Sequence, residues 1–394
     1  MKNIIANFYK LKPSQTVFLL SLFVKQFYIF PSGSFQVGDL LLLISFFLLI
    51  FFEHKGKLYL DNTTKILALY VACILVINIC HWFFDGGNYF NACAYYLFNL
   101  LAVITFVTFL KKEPNEGVFL FFLGWFLKLS LISQAFIFLI GKGKWFGGSR
   151  YEGTFNDPNQ YGVYIFFCML LIYATGRFLK KKTTGWMILG SALIVMSAST
   201  GTLLGLFAFF AMLIYGNLYK AKPKRALFWL AGSTIILSMF LLLVIGVLRV
   251  PDFVSSTSMY RRVISKIMLF NTSGVTAIGD ERQWSRLLKY PEMLLYGAGE
   301  GNYLQRFGVN LEVHSSILGP LFYYGIVPFS IWLLWVKRNL RGMGRQQVCI
   351  IAGLLFESVL LVNTRQPMFW MIIILAGFQF STSEDLIYNQ ANGL

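Results

Sequence analysis

The sequence predicts an all-α, polytopic bundle of membrane-spanning helices, on three observations. Of 394 residues, 57% are apolar and only 13% are charged, a balance that a soluble chain of this length does not tolerate in water. The apolar residues fall in long continuous runs, without the period-two alternation of a transmembrane barrel. The breaks between runs are mostly short and hold most of the basic residues. In hydrocarbon, helix is the only unclosed backbone that satisfies its own amides, and about 20 residues cross a core about 30 Å thick. The chain therefore reads as a single integral-membrane domain over residues 1–394, with about twelve spans. One long, partly helical loop, residues 251–314, interrupts it on the side away from the cytoplasm.

The spans fall near residues 15–30, 37–52, 65–84, 89–110, 117–140, 159–179, 185–198, 202–219, 226–249, 315–336, 346–362 and 366–380. The first run is followed by Pro31-Ser32-Gly33 and another span, so it reads as a retained helix rather than a cleaved signal. Placing both termini in the cytoplasm puts Lys55, Lys57, Lys65, Lys111, Lys112, Arg177, Lys180 to Lys182, Lys220 to Arg225 and Lys337 to Arg345 on one face. That satisfies the positive-inside rule, and the formal charge of +17 then reflects orientation rather than a nucleic-acid partner.

The opposite face carries Pro31–Gln36, Asp85–Asn88, Gly141–Pro158, a turn near Thr200, the long loop Pro251–Glu312, and Asn363–Pro367. Basic residues there are Lys142, Lys144 and Arg150, then Arg261, Arg262, Lys266, Arg282, Arg286, Lys289 and Arg306 in the long loop, and finally Arg365. Long loops escape the orientation rule and short ones do so less, so Arg150 and Arg365 are the informative exceptions. Arg261 and Arg262 read as headgroup or solvent contacts. The five cysteines, Cys73, Cys80, Cys93, Cys168 and Cys349, have no CxxC spacing and read as buried free thiols. Inside the spans the main ionisable residues are Lys25, His81, Lys128 and Glu357. An ion-coupled carrier shows intramembrane acids and paired broken spans, so transport is not favoured.

The segment Arg150-Tyr151-Glu152-Gly153-Thr154-Phe155-Asn156-Asp157-Pro158-Asn159 places a turn before the sixth span, with Asp157 positioned to cap the helix and Pro158 in its first turn. Arg150 beside that helix start faces an anion such as phosphate; an ordinary capped loop accounts for the same residues. Of the three histidines, His54 reads as solvated, His81 as a buried structural residue, and His314 as a functional one at the outer membrane surface. The glycines at 297, 299 and 301 follow no predicted strand, which rejects a nucleotide fingerprint.

Residues 150–159 resemble the R-x-x-G-T-F-x-x-P-N signature of bacterial O-antigen and surface-polysaccharide polymerases and their ligase relatives. Ser197-Ala198-Ser199-Thr200-Gly201 resembles the family's S-x-S-R-G turn, with Thr200 in place of the usual arginine. Arg282, Arg286 and Tyr296 to Asn302, followed by His314-Ser315-Ser316-Ile317-Leu318 and Gly325-Ile326, resemble its large loop and H-[NS]-x-x-L exit. Arg286 and Gly297 also fit an Arg-x10-Gly spacing. The resemblance spans residues 150–326 and implies a C-type glycosyltransferase at the periplasmic side of the bacterial inner membrane, using polyprenyl-diphosphate-linked oligosaccharides as donor and acceptor. It implies no metal or other cofactor, since the donor is already activated.

In that chemistry the leaving diphosphate gains charge that a guanidinium can stabilise, and the attacking hydroxyl needs a base near neutral pKa. The expected catalytic residues are His314 as base, with Arg150 and Arg286. Arg282, Arg365, Asn159 and Glu152 are expected to contact diphosphate or glycan. A helix over Asp280 to Lys289 would put Arg282 and Arg286 on one face, able to straddle a diphosphate. The reaction expected is a polymerase that adds the growing glycan to the non-reducing end of a new lipid-linked repeat unit. The alternatives are a ligase that moves polymer onto lipid A-core, and a transporter or flippase of lipid-linked sugars. Partners implied are the bilayer, a chain-length regulator and the flippase of the same pathway.

Overall fold

The computed structural model describes residues 9–31, 33–218, 265, 268 and 279–379. The protein is mostly helical, 71% helix against 2% strand, which is the all-α class that its long apolar runs require. The expected span at 226–249, the basic run from Lys220 to Arg225, residues Arg261, Arg262 and Lys266, and the carboxyl terminus beyond 379 lie outside the described residues.

Among the described residues, five helices are long and apolar enough to cross a membrane: α3 (Asn62–Asp85), α4 (Phe90–Lys111), α5 (Glu116–Leu139), α6 (Pro158–Phe178) and α8 (Thr200–Leu218). Shorter apolar helices accompany them: α1 (Pro13–Val24), α7 (Thr184–Ser197), α14 (Val348–Leu360) and α15 (Pro367–Gly377). This set is compatible with a multi-pass membrane protein. Between α1 and α3 lies α2 (Val37–Phe47), which continues into a π-helical turn, Leu48–Glu53.

The core is centred on α6. In its most apolar window 89% of the residues are buried, against 28% for α3, so α6 is enclosed by protein while α3 turns most of its surface outward. Around α6 stand α5, α7, α8 and α15. Helices α8 and α14 approach closely because glycines face each other: a methyl on Gly205 would stand 2.8 Å from the Gly353 carbonyl oxygen, the small-residue contact that brings apolar helices together without a hydrophobic driving force.

Several features differ from the sequence expectation, among them Cys80, which is exposed where a buried thiol is expected. The span expected at 315–336 is two helices, α12 (Leu318–Tyr324) and α13 (Ile326–Asn339), separated by Gly325 at φ +74°. The helix expected over Asp280 to Lys289 is broken at 282–285, between a helical turn that ends at Glu281 and α9 (Arg286–Lys289), which is followed by α10 (Met293–Tyr296) and α11 (Tyr303–Phe307). The break has a cause: the Arg282 carbonyl accepts from His314 N at 3.0 Å instead of continuing a helix, and Gln283 takes φ +59°. Arg282 and Arg286 therefore do not share a helix face. Finally, His54 is not solvated, since its Nε2 lies 2.7 Å from Glu113 Oε1 while Lys12 holds the other oxygen at 2.6 Å.

The described part of the long loop is docked on α12. Ala298 N donates to Phe322 O at 2.9 Å and Gly299 N to Tyr323 O at 2.8 Å, while His81 Nε2 lies 3.0 Å from Gly297 O. Gly297 (φ +85°) is closely packed there, because an added methyl would stand 2.6 Å from Tyr323 O; Gly308 (φ +73°) faces open space. Gly297→Ala should thus cost the upper end of the roughly 1–3 kcal/mol of a strained backbone, and Gly308→Ala about 1 kcal/mol. Thermal unfolding in detergent checks this, and equal losses at the two sites would contradict the docking.

Candidate functional site

The segment before α6 is a β-hairpin, β1 (Lys144–Phe146) paired antiparallel with β2 (Arg150–Gly153). Its turn uses Gly147 and Gly148 at φ +57° and +66°, the left-handed conformations that tight hairpins need. Behind it, Asp157 caps α6 by accepting from Asn159 N at 2.7 Å and Gln160 N at 3.2 Å, with Pro158 at the first helical position, as the sequence predicts. Thr154 Oγ1 donates to Gln26 O at 2.5 Å and accepts from Gln134 Nε2 at 2.8 Å. The Tyr28 and Phe155 rings stand 4.9 Å apart. The segment is thereby stapled to the chain after α1 and to α5.

Arg150 is 8% exposed. Its Nε donates to Ser197 O at 3.1 Å and its Nη2 to Asn159 Oδ1 at 2.9 Å. The arginine joins β2, the start of α6 and the turn between α7 and α8, where Ala198 takes φ +48°. Two of the sequence segments that carry the family resemblance, 150–159 and 197–201, meet at this side chain.

Next to this brace lies a cavity of about 340 Å³. Asn159 and Gln160 line it from α6, Glu312 and His314 from the exit of the long loop, and Arg365 from the turn before α15. Lys25 and Asp39 line it from the side of α1 and α2. Arg150 is not in the lining and reaches it through its hydrogen bond to Asn159.

Arg365 is the most connected of these groups. Its Nη2 donates to Glu300 Oε1 at 2.6 Å and also to Glu312, and its Nε reaches Glu300 at 3.3 Å. Glu300 is 6% exposed and also accepts from Tyr324 OH. Burial pulls the Arg365 pKa down, but Glu300 and Glu312 outweigh it and hold the group above its ordinary value. It is a permanent cation.

His314 stands two residues beyond Glu312, with its Nδ1 3.9 Å from Glu312 Oε1. Its backbone is fixed on both sides, by N–H donation to Arg282 O at 3.0 Å and by Trp284 Nε1 donating to His314 O at 3.2 Å. The following Ser316 bonds to the end of α14, giving its N–H to Ser358 O at 2.8 Å and its hydroxyl to Leu361 O at 2.8 Å. That fixes the ring at the cavity wall. Burial lowers the imidazole pKa below its ordinary value; Glu312 raises it in part, while Arg282 and Arg365 lower it further. The shift favours the neutral ring, the form able to accept a proton.

The other expected site residues stand apart. Arg286 is 3% exposed, with its guanidinium carbon 4.8 Å from the Phe307 ring and 6.0 Å from the Tyr303 ring, and Nη2 donating to Val309 O at 3.1 Å. Burial lowers its pKa, and it braces the loop rather than lining the cavity. Arg282 gives Nη1 to Leu360 O at 2.8 Å and backs His314 from the loop side. Glu152 is buried, its carboxyl pKa raised first by burial and then by Asp157, and it does not line the cavity.

The sequence reading missed Asp39, Glu312 and Gln160 as cavity residues. Lys25 was visible as an ion in an apolar run, but no spacing rule pairs it with Asp39. Comparison of the chain with protein-family models found no match, and comparison with curated proteins found none either. Because the Arg150 fork serves two acceptors at once, Arg150→Lys should lose about 1.5–3 kcal/mol of stability. Unchanged thermal unfolding in Arg150→Lys would show that charge alone is used there.

Proposed function

We propose that the protein is a glycosyltransferase of the surface-polysaccharide polymerase type. It moves a growing glycan from polyprenyl diphosphate to the non-reducing hydroxyl of a fresh lipid-linked repeat unit, on the periplasmic side of the bacterial inner membrane. The observation that carries this reading is the convergence of His314, Arg365 and Asn159, from three distant stretches of chain, on one cavity. The cavity also stands at the Asn159 end of α6, whereas Arg177 and the basic run at Lys180 to Lys182 follow its other end. In a 21-residue helix those ends are about 30 Å apart, and the positive-inside rule assigns the basic end to the cytoplasm.

In this mechanism the acceptor hydroxyl attacks the anomeric carbon of the donor sugar as the bond to the diphosphate oxygen breaks. His314 takes the hydroxyl proton, and the polyprenyl diphosphate leaves as an anion. Arg365, paired with Glu300 and Glu312, holds Glu312 at the cavity wall beside His314. Glu312 sits where it stabilises the imidazolium that forms.

His314→Ala should give protein that inserts and unfolds like the wild type but makes no polymer; normal chain length from that variant would overturn the assignment. The pH dependence follows from the lowered pKa. A base works when deprotonated, so the rate should persist as pH falls to the ordinary histidine value of about 6.5 and drop only below it. Glu312→Gln removes a carboxylate that raises the pKa, which moves the acid limb to still lower pH. An acid limb that moves upward in Glu312→Gln would contradict this.

A further inference from the structure

Lys25 and Asp39 form an ion pair on the cavity wall that no step above uses. Lys25 follows α1 and Asp39 lies in the first turn of α2; they are 8% and 5% exposed. Asp39 also accepts from Gln36 N at 2.9 Å, and the Gln36 amide is bonded to Ile29 N at 3.1 Å and Phe30 O at 3.0 Å. The backbone beneath has no slack, since a methyl on Gly38 would stand 2.8 Å from Lys25 Cα. A buried ion pair returns little net stability over apolar packing. In an apolar helical setting, ions with access to a cavity point to a ligand.

The charges around the cavity select that ligand. Its lining holds two basic side chains, Lys25 and Arg365, against three acidic ones, Asp39, Asp157 and Glu312. Both cations already have carboxylate partners. A diphosphate entering here would meet more negative than positive charge in a setting where Coulomb terms are strong. An uncharged polyol meets no such penalty. Lys25 has two N–H donors beyond the one given to Asp39, and the Gln160 side chain stands in the same lining. Tyr28, Phe35 and Tyr95 line the cavity too, the last two stacked at 6.2 Å. Aromatic faces match the C–H faces of sugar rings, and ionised and amide groups match their hydroxyl edges. At about 340 Å³ the space is within the range of small-molecule sites.

We infer that the wall formed by Lys25, Asp39 and Tyr28 is a sugar-ring subsite for the acceptor glycan, and that the lipid diphosphate is held outside this lining. The inference rests on the glycosyl-transfer reading and assigns the cavity to the uncharged end of the substrate.

The test uses the purified full chain in nanodiscs. The probe is the repeat-unit oligosaccharide released from the native polysaccharide, free of lipid and phosphate, with binding read by saturation-transfer NMR. Wild-type protein should bind it, and Asp39→Asn and Lys25→Met should weaken the dissociation constant at least tenfold. Inorganic pyrophosphate should not displace it. Displacement by pyrophosphate, no binding to the wild type, or wild-type affinity in both variants would overturn the subsite. The wild-type competition decides the matter even if a variant does not fold. Chain extension on a lipid-linked repeat unit in the same nanodiscs separates the two ideas. Wild-type protein that binds the oligosaccharide but extends no chain defeats the transfer reading alone. Protein that extends chains yet fails the binding test defeats the subsite alone.

Discussion

The cavity depends on one clamp: the Arg365 guanidinium held between Glu300 and Glu312. Arg365 sits in the short turn between α14 and α15, and α15 is buried along nearly its whole length against the core. Glu300 and Glu312 belong to the loop that returns from outside the bundle. The clamp therefore joins the least regular described part of the chain to one of its most buried elements, and His314 follows two residues after Glu312. Without the arginine, the buried Glu300 would lose its cation and keep Tyr324 OH, and such a loss costs more than the pair itself returns.

Pairing is the rule among the charged groups here. Lys25 has Asp39, Arg365 has two carboxylates, and Arg150 and Arg282 spend their donors on backbone or amide oxygens. Basic residues that read in the sequence as free phosphate contacts are mostly structural braces. They set the positions of Asn159 and His314, which do face the cavity. What remains is a wall of neutralised ions, amides and aromatic rings, better matched to hydroxyls than to phosphate.

The helical class was legible because crossing hydrocarbon forces about 20 apolar residues into each long span, and Asp157 was legible as a cap because capping is a local rule. The hairpin before α6 carried a signal in Gly147-Gly148 that helix-length reasoning passes over. The broken helix at 280–289 was illegible for a different reason: its periodicity is helical, but His314 N takes the Arg282 carbonyl from thirty-two residues further along the chain. The same holds for Asp39 with Lys25, Glu113 with His54, and Glu300 with Arg365. Lys25 and Arg365 are visible in the sequence as oddities and His54 is not, while the partner is fixed only by packing in all three cases.

The measurement that tests this account most directly is a double-mutant cycle on the clamp, with Arg365→Met, Glu312→Gln and both together, read as the rate of glycan chain formation by the inserted protein. The account predicts that Arg365→Met lowers the rate severely and that Glu312→Gln costs less in that background than in the wild type, a coupling of about 1 kcal/mol or more. Wild-type chain formation by Arg365→Met, or strictly additive losses, would show that the clamp does not set the position of His314.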